Sequence, residues 1–235
     1  FTLPNIILSL GMEKIIEKLV RSAEPLVSEV ERDEFISATE TAFDCRFDGV
    51  SKFYPWQLPT SLPKEFSIGV IVGSSGSGKS TLLKEFGTED IPTWDNSKSI
   101  VSHFLNPDDA VNRLGAVGLN TIPSWYKPYN VLSNGEKFRA DLARKIKNGA
   151  VIDEFTSVVD RNVAKAASVA LSRYVTKNNV KNVVVSTCHH DIVEWLQPDW
   201  VLNTDTGELY HGFFLLGQQS ISKFIEQTVQ SGPCL

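Results

Sequence analysis

The run Gly73-Ser-Ser-Gly-Ser-Gly-Lys-Ser-Thr81 leaves this chain few folds to choose from, because it joins a short apolar stretch, Ile68–Val72, to the start of a helical pattern. It meets G-x-x-x-x-G-K-[ST] at every fixed position, in the strand-before, helix-after setting the pattern requires. Gly73, Gly76 and Gly78, interleaved with Ser74, Ser75 and Ser77, let the backbone curl so that successive N–H groups point into one concavity. The following helix aims its positive end at the same place. Such a nest holds phosphate oxygens. Lys79 adds a point charge for the β- and γ-phosphates of a nucleotide, and the Ser80 hydroxyl, ahead of Thr81, is placed to ligate magnesium.

A strand-loop-helix of this kind needs a sheet around it, and 235 residues with 42% hydrophobic and 22% charged side chains supply one sizeable α/β core with an appendage. No apolar run approaches the roughly 18 residues that cross a bilayer, so no direct membrane insertion is expected. The net charge of −5 argues against a surface devoted to non-specific nucleic-acid binding. Cys45, Cys188 and Cys234 lack framework spacing, which points to a reducing compartment and a cytoplasmic protein.

From Met12, Ile15, Ile16, Leu19 and Val20 fall at helical spacing, predicting a helix that Pro25 breaks or restarts. A second helical segment is expected to about Ala38, with Glu29, Glu31, Asp33 and Glu34 on its solvated side. Residues 1–11 lack the basic start of a signal peptide and are read as an upstream or non-native extension before a start at Met12. The N-terminal extension either packs on the core or docks a partner. Phe43–Phe47 alternates like a half-buried strand. Short β-branched strands are predicted at 68–72, 149–152 and 182–187, as in a parallel sheet covered on both faces.

Leu132-Ser133-Asn134-Gly135-Glu136 reads as a helix start where a hydroxyl and free N–H groups converge on an anion. Phe138, Leu142 and Ile146 form the buried stripe of that helix, and Lys137, Arg139, Arg144, Lys145 and Lys147 read as its solvated face. Gly149–Glu154 is an apolar strand ending in two carboxylates, whose tip is expected beside the phosphate loop, where Asp153 can hold hydrated magnesium. Ser157-Val-Val-Asp160 follows. The strand from Asn182 then ends in Cys188-His189-His190-Asp191. These are metal-ligand residue types, but consecutive residues at a strand end point in different directions.

In this order the segments resemble the ABC-class ATPases over about residues 43–217. Leu132–Glu136 is similar to their LSGGQ signature, with Asn134 for a glycine, which Asn's access to the left-handed region makes tolerable. Glu136 stands for glutamine and brings a negative charge near the phosphate site. The resemblance implies that Glu154 polarises the water attacking the γ-phosphate, and that the segment ending at Asp160 is a D-loop along a subunit interface. It implies that His189 or His190 senses the γ-phosphate, His189 being the one that directly follows the strand. It further implies that ATP and Mg2+ are sandwiched in a homodimer, the phosphate loop of one subunit facing Ser133 and Gly135 of the other.

Tyr54 best matches the adenine-stacking aromatic, with Phe53 and Trp56 as rivals. The family's metal-sensing glutamine has no counterpart in Lys98–Leu105, where His103 is the nearest candidate. The fold implied is an α/β ABC-ATPase P-loop NTPase fold with a mostly parallel core sheet, a small antiparallel β part and a shortened helical insert. It is flanked by a helical extension at 1–42 and a C-terminal helix and tail at 218–235. The segments around Trp125 and Trp195 are similar to a soluble subfamily whose members can be fused to a predicted acetyltransferase domain. The expectation is a non-transport ATPase acting on nucleic acid or a partner protein. Its rivals are the nucleotide-binding subunit of a transporter and a nucleotide-binding switch with negligible turnover. The short, proline-rich stretch between Lys79 and Ser133 favours the non-transport reading.

Overall fold

The computed structural model describes residues 16–211. Strand β4 (Ile68–Val72) is buried at every position, as a strand covered on both faces must be. It pairs in parallel with β6 (Val183–Thr187) on one side and β7 (Trp200–Asn203) on the other, and β5 (Val151–Ile152) adds a further parallel strand beyond β6. Past β7 the sheet turns antiparallel through β8 (Glu208–His211) and β1 (Ile16–Lys18), giving the order β1-β8-β7-β4-β6-β5. A separate antiparallel pair, β2 (Leu26–Glu29) and β3 (Val50–Phe53), brackets helix α1 (Glu34–Phe43).

Helix α2 (Lys79–Leu83) follows the phosphate loop and tightens into a 3₁₀ turn at Lys84–Phe86. The stretch before β5 carries α3 (Pro107–Ala116), α4 (Ile122–Trp125) and α5 (Asn134–Lys145), while α6 (Arg161–Lys177) and α7 (Ile192–Leu196) flank β6. Alternate residues of β4 serve two cores, one on each face. Val70 and Val72 join Leu142, Ile152 and Leu171, whereas Ile71 joins Leu82, Trp200 and Leu202. Trp200 is fully buried and lies across Gly69, where an added Cβ would stand 2.0 Å from the indole, so only glycine fits. Phe66 meets that indole edge-on at 5.1 Å and Phe86 stacks on it at 5.4 Å.

The N-terminal expectations are corrected. Residues 16–18 form a strand, not a helix, because β8 offers its edge: Ile16 pairs with Tyr210, and this tertiary pairing overrides helical spacing. Of the predicted stripe Leu19 is buried while Ile16 and Val20 are exposed; Ile15 lies outside the described residues. Residues 26–29 are also a strand, and the helix begins only at Glu34, where Asp33 caps it by accepting the Ile36 N–H at 2.9 Å. Phe43–Phe47 is no strand: Phe43 ends α1 and Asp44 turns left-handed at φ 49°. The expected start at Met12 and the C-terminal helix over 218–235 lie outside the described residues. Among the described residues no helix is long and apolar enough to cross a membrane.

Candidate active site

The phosphate loop leaves β4 between the carboxyl ends of β6 and β7, where open α/β sheets receive ligands. Gly76 and Gly78 take φ of 78° and 98°, a region other side chains avoid. At Gly73 space decides, since a Cβ would lie 2.0 Å from Thr204 Oγ1. Lys79 is buried and its Nζ donates to the Ser74 carbonyl at 2.7 Å, which also accepts Ser77 Oγ at 2.8 Å. Ser74 in turn donates its N–H at 2.9 Å and its hydroxyl at 2.7 Å to the Asp205 carboxylate. Ser77 Oγ also meets Thr204 Oγ1 at 2.6 Å, so the β7–β8 turn forms an outer wall that the sequence reading did not single out. Ser75 and Ser80 are exposed and Thr81 is half-buried.

The carboxylate strand approaches the phosphate loop across one intervening strand. β6 runs between β4 and β5, so Asp153 and Glu154 stand two strand spacings, roughly 10 Å, from the strand that feeds the phosphate loop. Asp153 is held through Oδ1 by the Ser186 hydroxyl of β6 and by the Glu154 N–H, the latter at 2.9 Å. Among the described residues no three His, Cys, Asp or Glu gather to hold a metal alone. The Asp153 Oδ2 and the exposed Ser80 hydroxyl are nonetheless hard oxygen donors of the kind magnesium takes, with phosphate and water completing the shell. Glu154 is exposed with left-handed backbone at φ 49°, a strained choice for a non-glycine, and Ser157 Oγ donates to its Oε2 at 2.5 Å.

The two histidines diverge. His189 lies on the Glu154 side, its Nδ1 3.3 Å from the buried Thr156 hydroxyl; burial, and then the Arg161 guanidinium, hold its pKa below the usual value against the pull of Asp191 and Glu154. His190 faces Asp205 and Lys79, and burial again lowers it. Burial thus favours the neutral form of both rings. Asp160 caps α6 by accepting the Asn162 and Val163 N–H groups at 2.9 and 3.1 Å. Arg161, the next residue, grips Asp191 through Nε at 3.1 Å and through Nη2.

Ser133 is exposed at the N-cap of α5, with Gly135 in the first turn. Glu136 turns its charge inward: Oε2 accepts the Ser133 N–H at 2.9 Å, Oε1 accepts Ser124 Oγ at 2.5 Å, and Ser133 Oγ accepts the Glu136 N–H at 3.3 Å. This is a capping box. The Ser124 bond, followed by the Ser133 bond, holds the carboxyl below its usual range. Asn134 is simply the first helical residue, so the left-handed tolerance invoked for it is not used. A Cβ at Gly135 would meet Val163 only at 3.6 Å, ordinary contact, so nothing among the described residues demands glycine there.

As expected, Leu142 and Ile146 are buried and Phe138 packs against Phe155. The basic residues on and just after α5 are half-buried or exposed, as a solvated face requires, and several of them have partners. Lys145 pairs with Glu89 at 2.7 Å, Lys147 with Asp90 at 2.8 Å, Arg144 lies 4.7 Å over Trp94, and Arg139 reaches the Gly118 carbonyl at 3.3 Å. A cavity of about 530 Å³ opens between α5, residues 89–91 and the Asp153–Glu154 pair. Among the aromatics, the Phe53 ring lies 2.6 Å from where a Gly78 Cβ would stand, and Trp56 donates to the Thr204 carbonyl at 3.2 Å under the β7–β8 turn. Tyr54 is 44% exposed. His103 turns both ring nitrogens to its own loop, to the Asp95 N–H at 2.9 Å and the Ser99 carbonyl at 3.0 Å.

This architecture is the α/β P-loop fold of ABC-type ATPase cassettes, and solved structures agree. A post-hydrolysis dimer of the ATP-binding cassette MJ0796 with ADP and Pi matches at a TM-score of 0.50 and 16% identity, over 80% of this chain and 94% of that one. A second dimeric MJ0796 structure, described as a bacterial ABC transporter cassette, gives 0.50 and 15% over the same shares. A metal-chelate type ABC transporter in an inward-facing conformation gives 0.50 and 16%, over 86% and 90%. At these identities the likeness is one of fold. No protein-family model and no curated protein matches the sequence.

Proposed function

We propose that this chain is an ABC-class ATPase that binds Mg-ATP between two copies of itself and hydrolyses it to drive a conformational cycle. The observation that carries the reading is the arrangement at the carboxyl ends of β4, β5 and β6: Lys79 in a phosphate nest, the Asp153–Glu154 pair across a gap of one strand, and His189 on the Glu154 side of that gap. Lys79 and the nest N–H groups bind the β- and γ-phosphates, and the Ser80 hydroxyl and Asp153 are the residues that would hold magnesium. Magnesium, when bound, neutralises charge on the phosphate oxygens. Glu154 orients the water, accepting its proton as it attacks, and neutral His189 offers a donor to the γ-phosphate. The ring of the exposed Tyr54 is the surface on which adenine stacks.

Ser133 and Asn134 are exposed and Gly135 is half-buried at a helix N-terminus, an end suited to an anion, and this supports a second chain supplying the nucleotide. Asp160 lies along the same junction. The short insert, limited to α3, α4 and single turns, supports a soluble, cytoplasmic, non-transport role with nucleic acid or a protein as the partner. The transporter reading is favoured by one observation: the similar solved structures include cassettes described as parts of ABC transporters.

The test is size-exclusion chromatography with light scattering. Glu154→Gln retains Lys79, Ser80 and Asp153 but loses the carboxylate that orients water, so ATP is expected to convert it from monomer to long-lived dimer. Adding Ser133→Arg should abolish the dimer. A double mutant that still dimerises with ATP overturns the sandwich.

A further inference from the structure

The segment after β5 and the segment after β6 are separate in sequence, yet side chains join them. Arg161 is the first residue of α6, directly after Asp160. Its guanidinium takes the Asp191 carboxylate with Nε at 3.1 Å and with Nη2, in the two-pronged geometry that a lysine cannot reproduce. The Trp195 ring of α7 lies 5.3 Å beneath it. Its Nη1 is buried and finds no hydrogen-bond partner among the described residues, an arrangement that does not maximise stability. The Arg161 guanidinium opposes protonation of His189, two residues before Asp191, second only to burial. Thr156 completes the junction by meeting His189 Nδ1 at 3.3 Å from the other side.

We propose that Arg161 is a positioning residue that fastens the 188–191 segment to the start of α6, so that a displacement of residues 157–160 is carried to His189. The proposal rests on the ATPase reading for its consequence in turnover, but its geometric core stands in the nucleotide-free protein. Residues 157–160 are exposed or half-buried at the tip of the loop, free to be pressed by a second chain. Arg161 and Asp191 form the stiff connection behind them. The charged groups around His189 are Arg161 on α6, Asp191 at the start of α7, and Glu154 after β5. Arg161 thus both holds the segment and opposes protonation of the ring.

Two measurements separate this proposal from the function it deepens. The first is an NMR titration of the histidine ring protons without nucleotide. Arg161→Gln is expected to raise the His189 pKa towards the ordinary histidine value, whereas Arg161→Lys, which keeps the charge but not the fork, should leave the pKa near wild type and broaden or shift the His189 resonance. A His189 signal unchanged in both variants overturns the proposal whether or not the protein hydrolyses ATP.

The second is steady-state ATPase kinetics on Arg161→Lys, Asp191→Asn and the double variant, each checked for a native melting transition. Each single change is expected to lower kcat about tenfold or more with KM within about twofold, and the double change to be no worse than the worse single one. Additive losses, or wild-type kcat in Arg161→Lys, overturn it. A wild-type protein without turnover would instead count against the ATPase reading, leaving the titration to decide the role of Arg161.

Discussion

Glu136 offers a sharp test of how the altered signature is built. Replacing it with alanine removes the acceptor for the Ser133 N–H, a cap contribution of about 1 kcal/mol, and strands the Ser124 hydroxyl, which is 1% exposed. A buried hydroxyl without a partner costs about 1–3 kcal/mol. Because the carboxylate itself is partly open to water, the lower end of the combined range applies, roughly 2 kcal/mol. For a chain of this size that lowers Tm by about 4–8 °C. Glu136→Gln keeps one acceptor and can donate to the rotatable Ser124 hydroxyl, so its loss should be under about 1 kcal/mol.

The charge leaves a further signature in pH. The folded carboxyl titrates below its free value of 4.5, so its stabilisation is fully present above that pH and is lost as pH falls through the depressed folded value. The gap between wild type and Glu136→Gln should therefore close on acidification. Thermal melts and urea titrations across pH measure all of this. Glu136→Ala melting within a degree of wild type, or a Gln gap constant from pH 7 to pH 3, would refute the capping account.

Lys79→Ala should remove most ATP binding and all hydrolysis, because the nest loses its buried cation; unchanged turnover in a phosphate-release assay would defeat the site. Tyr54→Ala should weaken adenine nucleotides several-fold more than inorganic triphosphate in fluorescence titrations, by the loss of about 1 kcal/mol or more of stacking. Equal weakening of both would move the platform elsewhere, with Phe53 now the nearer rival since Trp56 is tied beneath the β7–β8 turn. Asp205→Ala should cost about three- to tenfold in ATP affinity by freeing the Ser74 peptide whose carbonyl anchors Lys79, and calorimetry at wild-type strength would contradict it. Any DNA or RNA binding should require ATP; tight binding by nucleotide-free protein, in titrations repeated across salt, would reverse that expectation.

What could be read in the sequence was whatever is encoded locally. A phosphate loop spells its own glycines and lysine, and short β-branched runs such as Val183–Thr187 have few alternatives as strands. The rest depends on residues that meet only after the sheet has chosen its order. Asp205 meets Ser74 across 131 positions, and Ser186 meets Asp153 only because β6 inserts beside β5. Residues 16–18 carry the same apolar spacing whether they coil or extend, and the edge of β8 decides. The partners of the basic side chains on and after α5 were hidden for a similar reason: Glu89, Asp90 and Trp94 come from a segment with no pattern that announces where it lies.

The indole of Trp200 has a consequence for motion. Phe66 leads into β4 on one side of the phosphate loop, and Phe86 ends the turn that leaves it on the other; both lean on that single ring, with Gly69 beneath. The loop is thus anchored at both ends to one immobile plate, independently of what it holds. Hinging during a cycle is then expected away from the loop's base, in the parts not leaning on that plate: the α3–α4 insert and the tips that follow β5 and β6. Hydrogen exchange should find the amides of β4 and α2 equally slow with and without nucleotide, while those of residues 156–160 and 188–191 change.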